Sequence, residues 1–249
     1  MSHGTRKGAA PPRTQMQRKL VNYLEVELFT PRLDMLPPSQ RLLWDELEST
    51  PRSFVLYGGI ALALRLGHRG SEDFDFFTTQ TFDPEDLLAR IPYLKNAVVV
   101  QIAENTLVCT VERRGGVQVS FFGGLDLKRI HEPEISVGNS LRVASLLDLA
   151  ACKVAVVQQR AAAKDYIDVA ALMRAGIDLP TALAAGKAVY GERFNPTITL
   201  RALGSFDEGD LSQIDALTRR ELLGAAAVVK LNELPVLKGR DGLYDSRGE

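Results

Sequence analysis

The chain has little with which to do redox, zinc or membrane chemistry. It carries two cysteines and three histidines in 249 residues. Cys109 and Cys152 stand singly in apolar surroundings with no Cys-x-x-Cys pair, which reads as two buried, reduced thiols. His3, His68 and His131 share no ligand spacing, so no zinc site is assigned. No apolar run reaches the length of a membrane span, so no membrane partner is expected. Net charge is also small, at −1, so no global field draws the protein to nucleic acid and any such contact needs a local basic patch. The first residues are basic but lack a following apolar stretch, so no secretory signal is expected there. Residues 1–15 are expected to form a disordered leader, and the protein is expected in the cytoplasm.

What is present suits a folded domain. Hydrophobic residues make up 45% and charged residues 24%, enough to bury a core without disulfides or a structural metal. Leu20, Tyr23, Leu24 and Leu28 recur at helical spacing over 15–29. A second helix is expected over 38–49, opened by Pro37-Pro38, with Leu42, Leu43, Leu47 and Trp44 on its apolar face. The apolar run 54–57 reads as a strand, 60–66 as a helix, and 73–78 as another strand. A helix over 83–91 is capped by Asp83, and three strands follow at 97–102, 106–112 and 117–122. From 140 the chain turns Ala- and Leu-rich. One helical stretch is expected over 143–175, closed by Gly176, then helices at 179–190, 208–222 and 224–234. The fold class expected is α+β: a small mixed β-sheet with flanking helices over 16–139, a helical C-terminal half over 140–237, and a flexible tail over 238–249.

Two motifs bear on chemistry. Gly58-Gly59 sits between a strand and a helix, where backbone N–H groups can approach a phosphate at the positive helix end. Taken alone, a purely structural turn explains it as well. Asp73 and Asp75 are two apart in a strand and so project from one face, while Phe74 and Phe76 face the core. Paired carboxylates repel each other, and a divalent cation reverses that sign; oxygen donors suit Mg²⁺. A lone pair of this kind is also compatible with a solvated strand face.

Together the motifs resemble the signature of the polymerase-β-like nucleotidyltransferases: a Gly-Gly or Gly-Ser turn, a short helix and an Asp-x-Asp strand. Leu56-Tyr57-Gly58-Gly59-Ile60-Ala61-Leu62, Arg65-Leu66-Gly67-His68-Arg69 and Ser71-Glu72-Asp73-Phe74-Asp75-Phe76-Phe77 are similar to the AbiEii/AbiGii toxin family within that superfamily. A third segment agrees in order. Lys153, Arg160, Lys164 and Asp168 share one stripe of an ideal helix, a pattern a solvated face would also produce. The resemblance spans roughly residues 50–175. It implies a Mg²⁺-dependent nucleotidyltransferase taking a nucleoside triphosphate (NTP), with RNA such as a tRNA end, or a protein hydroxyl, as acceptor, and an antitoxin as partner. By the same resemblance Asp73 and Asp75 are metal ligands, Gly58 and Gly59 hold the phosphates, and Lys153, with Arg160 or Lys164, neutralises the leaving pyrophosphate. Asp168 orients that lysine or acts as base.

One position departs from the pattern. Related enzymes place a third carboxylate on a later strand, where this chain has Ser120 or Gln118. A hydroxyl is a poor general base. That leaves open a non-catalytic relative that binds nucleotide, RNA or a partner. A dehalogenase-like phosphatase would need Thr where Phe77 stands, and a sugar-nucleotide glycosyltransferase would need a larger α/β scaffold.

Overall fold

Val55, Leu56 and Tyr57 form an uninterrupted apolar run, and such a run settles where both faces of a strand are covered. They make β2 (Val55–Tyr57), buried along its whole length at the centre of an eight-stranded mixed sheet. The computed structural model describes residues 27–245, so the expected leader and most of the helix expected over 15–29 lie outside the described residues. The described end of that segment is a strand, β1 (Leu28–Phe29), not a helix.

The remaining strands are β3 (Asp73–Phe77), β4 (Val98–Ala103), β5 (Thr106–Glu112), β6 (Gly116–Phe122), β7 (Lys128–Arg129), β8 (Glu134–Ser136), β9 (Arg142–Val143) and β10 (Arg240–Asp241). The large sheet runs β1-β8-β9-β2-β3-β6-β5-β4, and β7 pairs with β10 in a separate ribbon. β2 is antiparallel to β3 and parallel to β9, while β3 is parallel to β6. The hairpin of β8 and β9 straddles the expected domain border at 139/140, and one apolar core joins sheet residues such as Leu56 and Val143 to helix residues such as Leu149 and Val169.

α1 (Pro38–Trp44) continues as a 3₁₀ turn over Asp45–Ser49. Leu43, Trp44 and Leu47 are buried as expected, but Leu42 is 46% exposed and points away from the core. α2 (Gly58–Leu66) ends at Gly67 in the left-handed conformation, and α3 (Pro84–Arg90) is capped by Asp83, whose carboxylate accepts from the Glu85 and Asp86 amides. Phe76 stacks on Phe121 at 5.3 Å between centroids, and Phe54 meets the same ring edge-on. Each buried aromatic contributes about 1.5–3 kcal/mol.

The helical half departs from expectation in three places. The single stretch over 143–175 is two helices, α4 (Leu146–Val156) and α5 (Ala163–Arg174). No Gly or Pro breaks it. Asp210 accepts from the Ala163 amide and so begins α5 afresh, while Gln158 donates to the Asn195 carbonyl and the Thr199 hydroxyl. After α6 (Leu179–Tyr190) comes an unexpected helix, α7 (Pro196–Leu203), opened by Asn195 and Pro196. The pieces expected at 208–222 and 224–234 are mainly one helix, α8 (Ala216–Val228), capped by Asp215. The start of the expected flexible tail is docked: Leu243 is buried, β10 pairs with β7, and the Arg142 guanidinium lies 4.2 Å over the Tyr244 ring. No single described helix is long and apolar enough to cross a membrane.

Candidate nucleotide and metal site

The register of β2 on β3 sets the site. Tyr57 lies opposite Asp75, so the chain leaves β2 at the point where that carboxylate projects. Gly58 follows with φ +77°, and a Cβ there would overlap the Asp75 Oδ2 atom. Glycine is required twice over, by conformation and by space. α2 starts at this corner with no side chain capping it, whereas the helices that begin at Pro84, Leu146, Leu179, Pro196 and Ala216 each have one. Its first amides therefore remain available to an outside acceptor.

Asp73 and Asp75 project together from β3, both partly exposed, while Phe74 and Phe76 are fully buried. No described side chain hydrogen-bonds to or ion-pairs with either carboxylate. Burial, then the neighbouring Asp73 charge, pushes the Asp75 carboxyl up to about 6, although Lys153, Lys164 and Arg160 pull the other way. Asp73 is raised as well, by burial and by Glu72. Two half-buried acids that resist ionisation and have no protein partner form the oxygen-donor set a hard divalent cation takes. Among the described residues no group of three or more His, Cys, Asp and Glu side chains converges on one point. The third-carboxylate position agrees: Ser120 pairs in register with Asp75 and Gln118 with Asp73, so no acid faces the pair from β6.

A second pair of aspartates lies in the opposite condition. Asp165 and Asp168 are three apart on α5, and both are fully buried. Lys153 on α4 reaches Asp165 at 2.9 Å and Asp168 at 2.7 Å. Arg160, in the turn between the helices, donates to Asp165 at 2.7 Å. Arg69 forks onto Asp168 with Nε at 2.6 Å and Nη2 at 2.7 Å, and His68 Nε2 lies 2.7 Å from the same carboxylate. Burial alone would raise Asp168, but the hydrogen bonds from His68 and Arg69 and the charge of Lys153 hold it well below the usual carboxylate range. Asp165 is lowered too, with Arg160 and Lys153 outweighing its burial.

The loop from α2 to β3 joins the two pairs. Gln40 of α1 donates to the Ser71 and Glu72 carbonyls at 2.8 and 2.7 Å and fixes the approach to Asp73. A Cβ on Gly59 would lie 2.7 Å from Ser71 Oγ and 2.8 Å from Arg69 Nη2, so the missing side chain leaves room for both.

The site residues expected from sequence thus fall into three settings. Gly58, Gly59, Asp73 and Asp75 line one corner. Lys153 and Asp168 meet each other, buried, behind it. Arg160 and Lys164 lie nearer solvent; Arg160 is tied to Asp165 and Lys164 is exposed, and both act electrostatically on Asp75. The single-helix stripe that grouped the last four does not exist, because the break at 157–162 intervenes; the fold of α4 against α5 brings Lys153 to Asp168 instead. Sequence reasoning assigned no role to Asp165, His68 or Arg69. Asp165 had a visible signal, since Asp165 and Asp168 share a helix face at i,i+3. Arg69 stands in the Arg65–Arg69 segment that carries the family resemblance, but nothing local pointed to Asp168, 99 residues away.

Comparison with known proteins bears on the family and the fold. The model of the family described as nucleotidyl transferase AbiEii toxin, type IV TA system, matches residues 41–227. An uncharacterized protein of Aquifex aeolicus is 33% identical over 123 residues, which cover 49% of this chain and 58% of that protein. The match therefore spans a little over half of that relative's length. Two solved structures share the fold. A candidate nucleotidyltransferase from H. pylori aligns with TM-score 0.50 and 18% identity over 79% of this chain and 96% of its own. The nucleotidyltransferase toxin MenT4 from Mycobacterium tuberculosis aligns with TM-score 0.53 and 16% identity over 81% and 85%. With the family model covering most of the chain and both motif corners inside the matched span, the chain belongs to the AbiEii nucleotidyl transferase toxin family.

Proposed function

We propose that the protein transfers a nucleoside monophosphate from an NTP to an acceptor hydroxyl, as the toxin of a type IV toxin–antitoxin pair acting in the cytoplasm. The observation that carries this reading is the unpaired Asp73–Asp75 dyad set against Gly58, at the uncapped start of α2. Family membership supports the reaction class and the antitoxin context. An RNA such as a tRNA end fits as acceptor; a protein hydroxyl is the other candidate.

Asp73 and Asp75 would hold Mg²⁺, which when bound supplies charge neutralisation on the phosphate chain. The free amides at the start of α2 donate hydrogen bonds to phosphate oxygens. Lys164, exposed and acting on both aspartates, offsets charge at the open side of the site. The acceptor oxygen forms its bond to the α-phosphorus as the bond to pyrophosphate breaks, the hydroxyl proton passes to solvent water, and the protein's contribution is position and field. Lys153 is buried between two carboxylates, so its part is to hold Asp165 and Asp168 in place, not to meet pyrophosphate. Asp168, fully buried and strongly acidic, fits the orienting role and not that of a base.

Ser120 beside Asp75 favours one alternative, a relative that binds nucleotide without transfer. Incubation with Mg²⁺, each α-labelled NTP in turn, and total RNA or lysate separates the two. Label on a macromolecule with wild type, absent with Asp75→Asn, supports transfer. Bound but never transferred label supports the binding-only reading.

A further inference from the structure

We propose that Arg69 is a phosphate-contacting residue of the nucleotide site, a role that rests on reading the Gly58-Gly59 corner as the triphosphate seat. Gly59, unlike Gly58, is not in the left-handed region. Its lack of a side chain answers a need for space, because a Cβ there would stand 2.8 Å from Arg69 Nη2. The guanidinium therefore lies directly against the backbone at the start of α2.

The group is already immobilised. Nε and Nη2 fork onto Asp168, and Nη1 donates to the Gly70 carbonyl at 2.8 Å. A guanidinium has five N–H donors, so two remain for an incoming oxyanion. The side chain is 18% exposed, at a half-dry rim where a charge acts more strongly than in open water. The cluster behind it has charge to spare: Lys153, Arg160 and Arg69 carry three positive charges against two on Asp165 and Asp168. Lys153 is closed in by its two partners. Arg69 is the member of that cluster that touches the Gly59 corner. Asp168 aims the guanidinium and the absent Gly59 side chain admits it. A phosphate seated on the first amides of α2 then meets a fixed cation from the side.

The test is calorimetric titration of the full chain with inorganic tripolyphosphate and Mg²⁺ at neutral pH, alongside thermal melting. Arg69→Gln weakens binding by about tenfold or more, as loss of a charge-assisted contact requires. Arg69→Lys keeps the charge but cannot fork onto Asp168, and its affinity falls between wild type and Arg69→Gln. Gly59→Ala, whose Cβ crowds Ser71 Oγ and Arg69 Nη2, is expected to weaken tripolyphosphate binding as well. Where Arg69→Gln folds poorly, Arg69→Gln with Asp168→Asn removes the carboxylate charge that has lost its fork and gives the same loss of tripolyphosphate binding. A merely structural arginine gives the reverse, with Lys and Gln variants melting equally early and folded protein of either binding tripolyphosphate like wild type. That result overturns the assignment while leaving nucleotide transfer by wild type intact. Failure of the underlying reading looks different: wild type transfers no nucleotide, and Asp75→Asn binds Mg²⁺ and tripolyphosphate as wild type does.

Discussion

Two pairs of aspartates lie on neighbouring elements of this protein, and they could hardly be treated more differently. Asp165 and Asp168 on α5 are buried, and Lys153, Arg160, Arg69 and His68 surround them. Asp73 and Asp75 on β3 are partly open and have no described side-chain partner. Ionisation is favoured at the first pair and resisted at the second. The same residue type therefore serves opposite ends. The satisfied pair pins the helical half to the loop before β3. The unsatisfied pair is the one proposed above to take a cation from outside. A carboxylate is informative about function when its neighbours fail to neutralise it, and about architecture when they do.

The contrast can be broken most sharply at Asp168. Asp168→Ala leaves Arg69, Lys153 and His68 without their shared partner, and is expected to cost about 3–5 kcal/mol in urea unfolding. The dyad should respond with the opposite sign. Asp75→Asn is expected to stabilise the metal-free protein by up to about 3 kcal/mol at pH 8. Burial pushes Asp75 up to about 6 in the folded state against 3.8 ordinarily, so ionising it destabilises the fold, by a penalty that grows above about pH 4 and is complete above about pH 6. The gain from Asp75→Asn should accordingly shrink as pH falls and vanish near pH 4, as melting curves across that range would show. Smallest in stability is Lys164→Ala, within about 0.5 kcal/mol, since the side chain is exposed. Its effect should appear in chemistry instead, as a further rise of the Asp75 pKa in carboxyl-detected NMR titration.

Half of this comparison was legible in the sequence. The run Val55–Tyr57, the glycine corner, α2 and the alternating β3 follow from local periodicity and turn chemistry, and the structure keeps that order. The three strands β4, β5 and β6 and the Asp83 cap were readable for the same reason. What escaped depends on distant partners. The break between α4 and α5 has no local breaker and is set by Asp210 and the contacts of Gln158. The strands β1, β8 and β9 are two or three residues long, too short for a period to register. Arg69 reads as one basic residue in a loop until the fold brings Asp168 to it. Motif spacing gave the residues of the proposed site; the long-range ion pairs that decide which of them are free did not show in it.

In the function proposed above, the unpaired Asp73 and Asp75 take a divalent cation. Electron paramagnetic resonance titration with Mn²⁺, as a stand-in for Mg²⁺, tests it directly across pH 5 to 8. The account predicts one site in wild type whose affinity drops as pH falls through about 6, where protons compete for Asp75, and no such site in Asp75→Asn. Mn²⁺ bound equally well by Asp75→Asn, or with an affinity flat over that pH range, would contradict it.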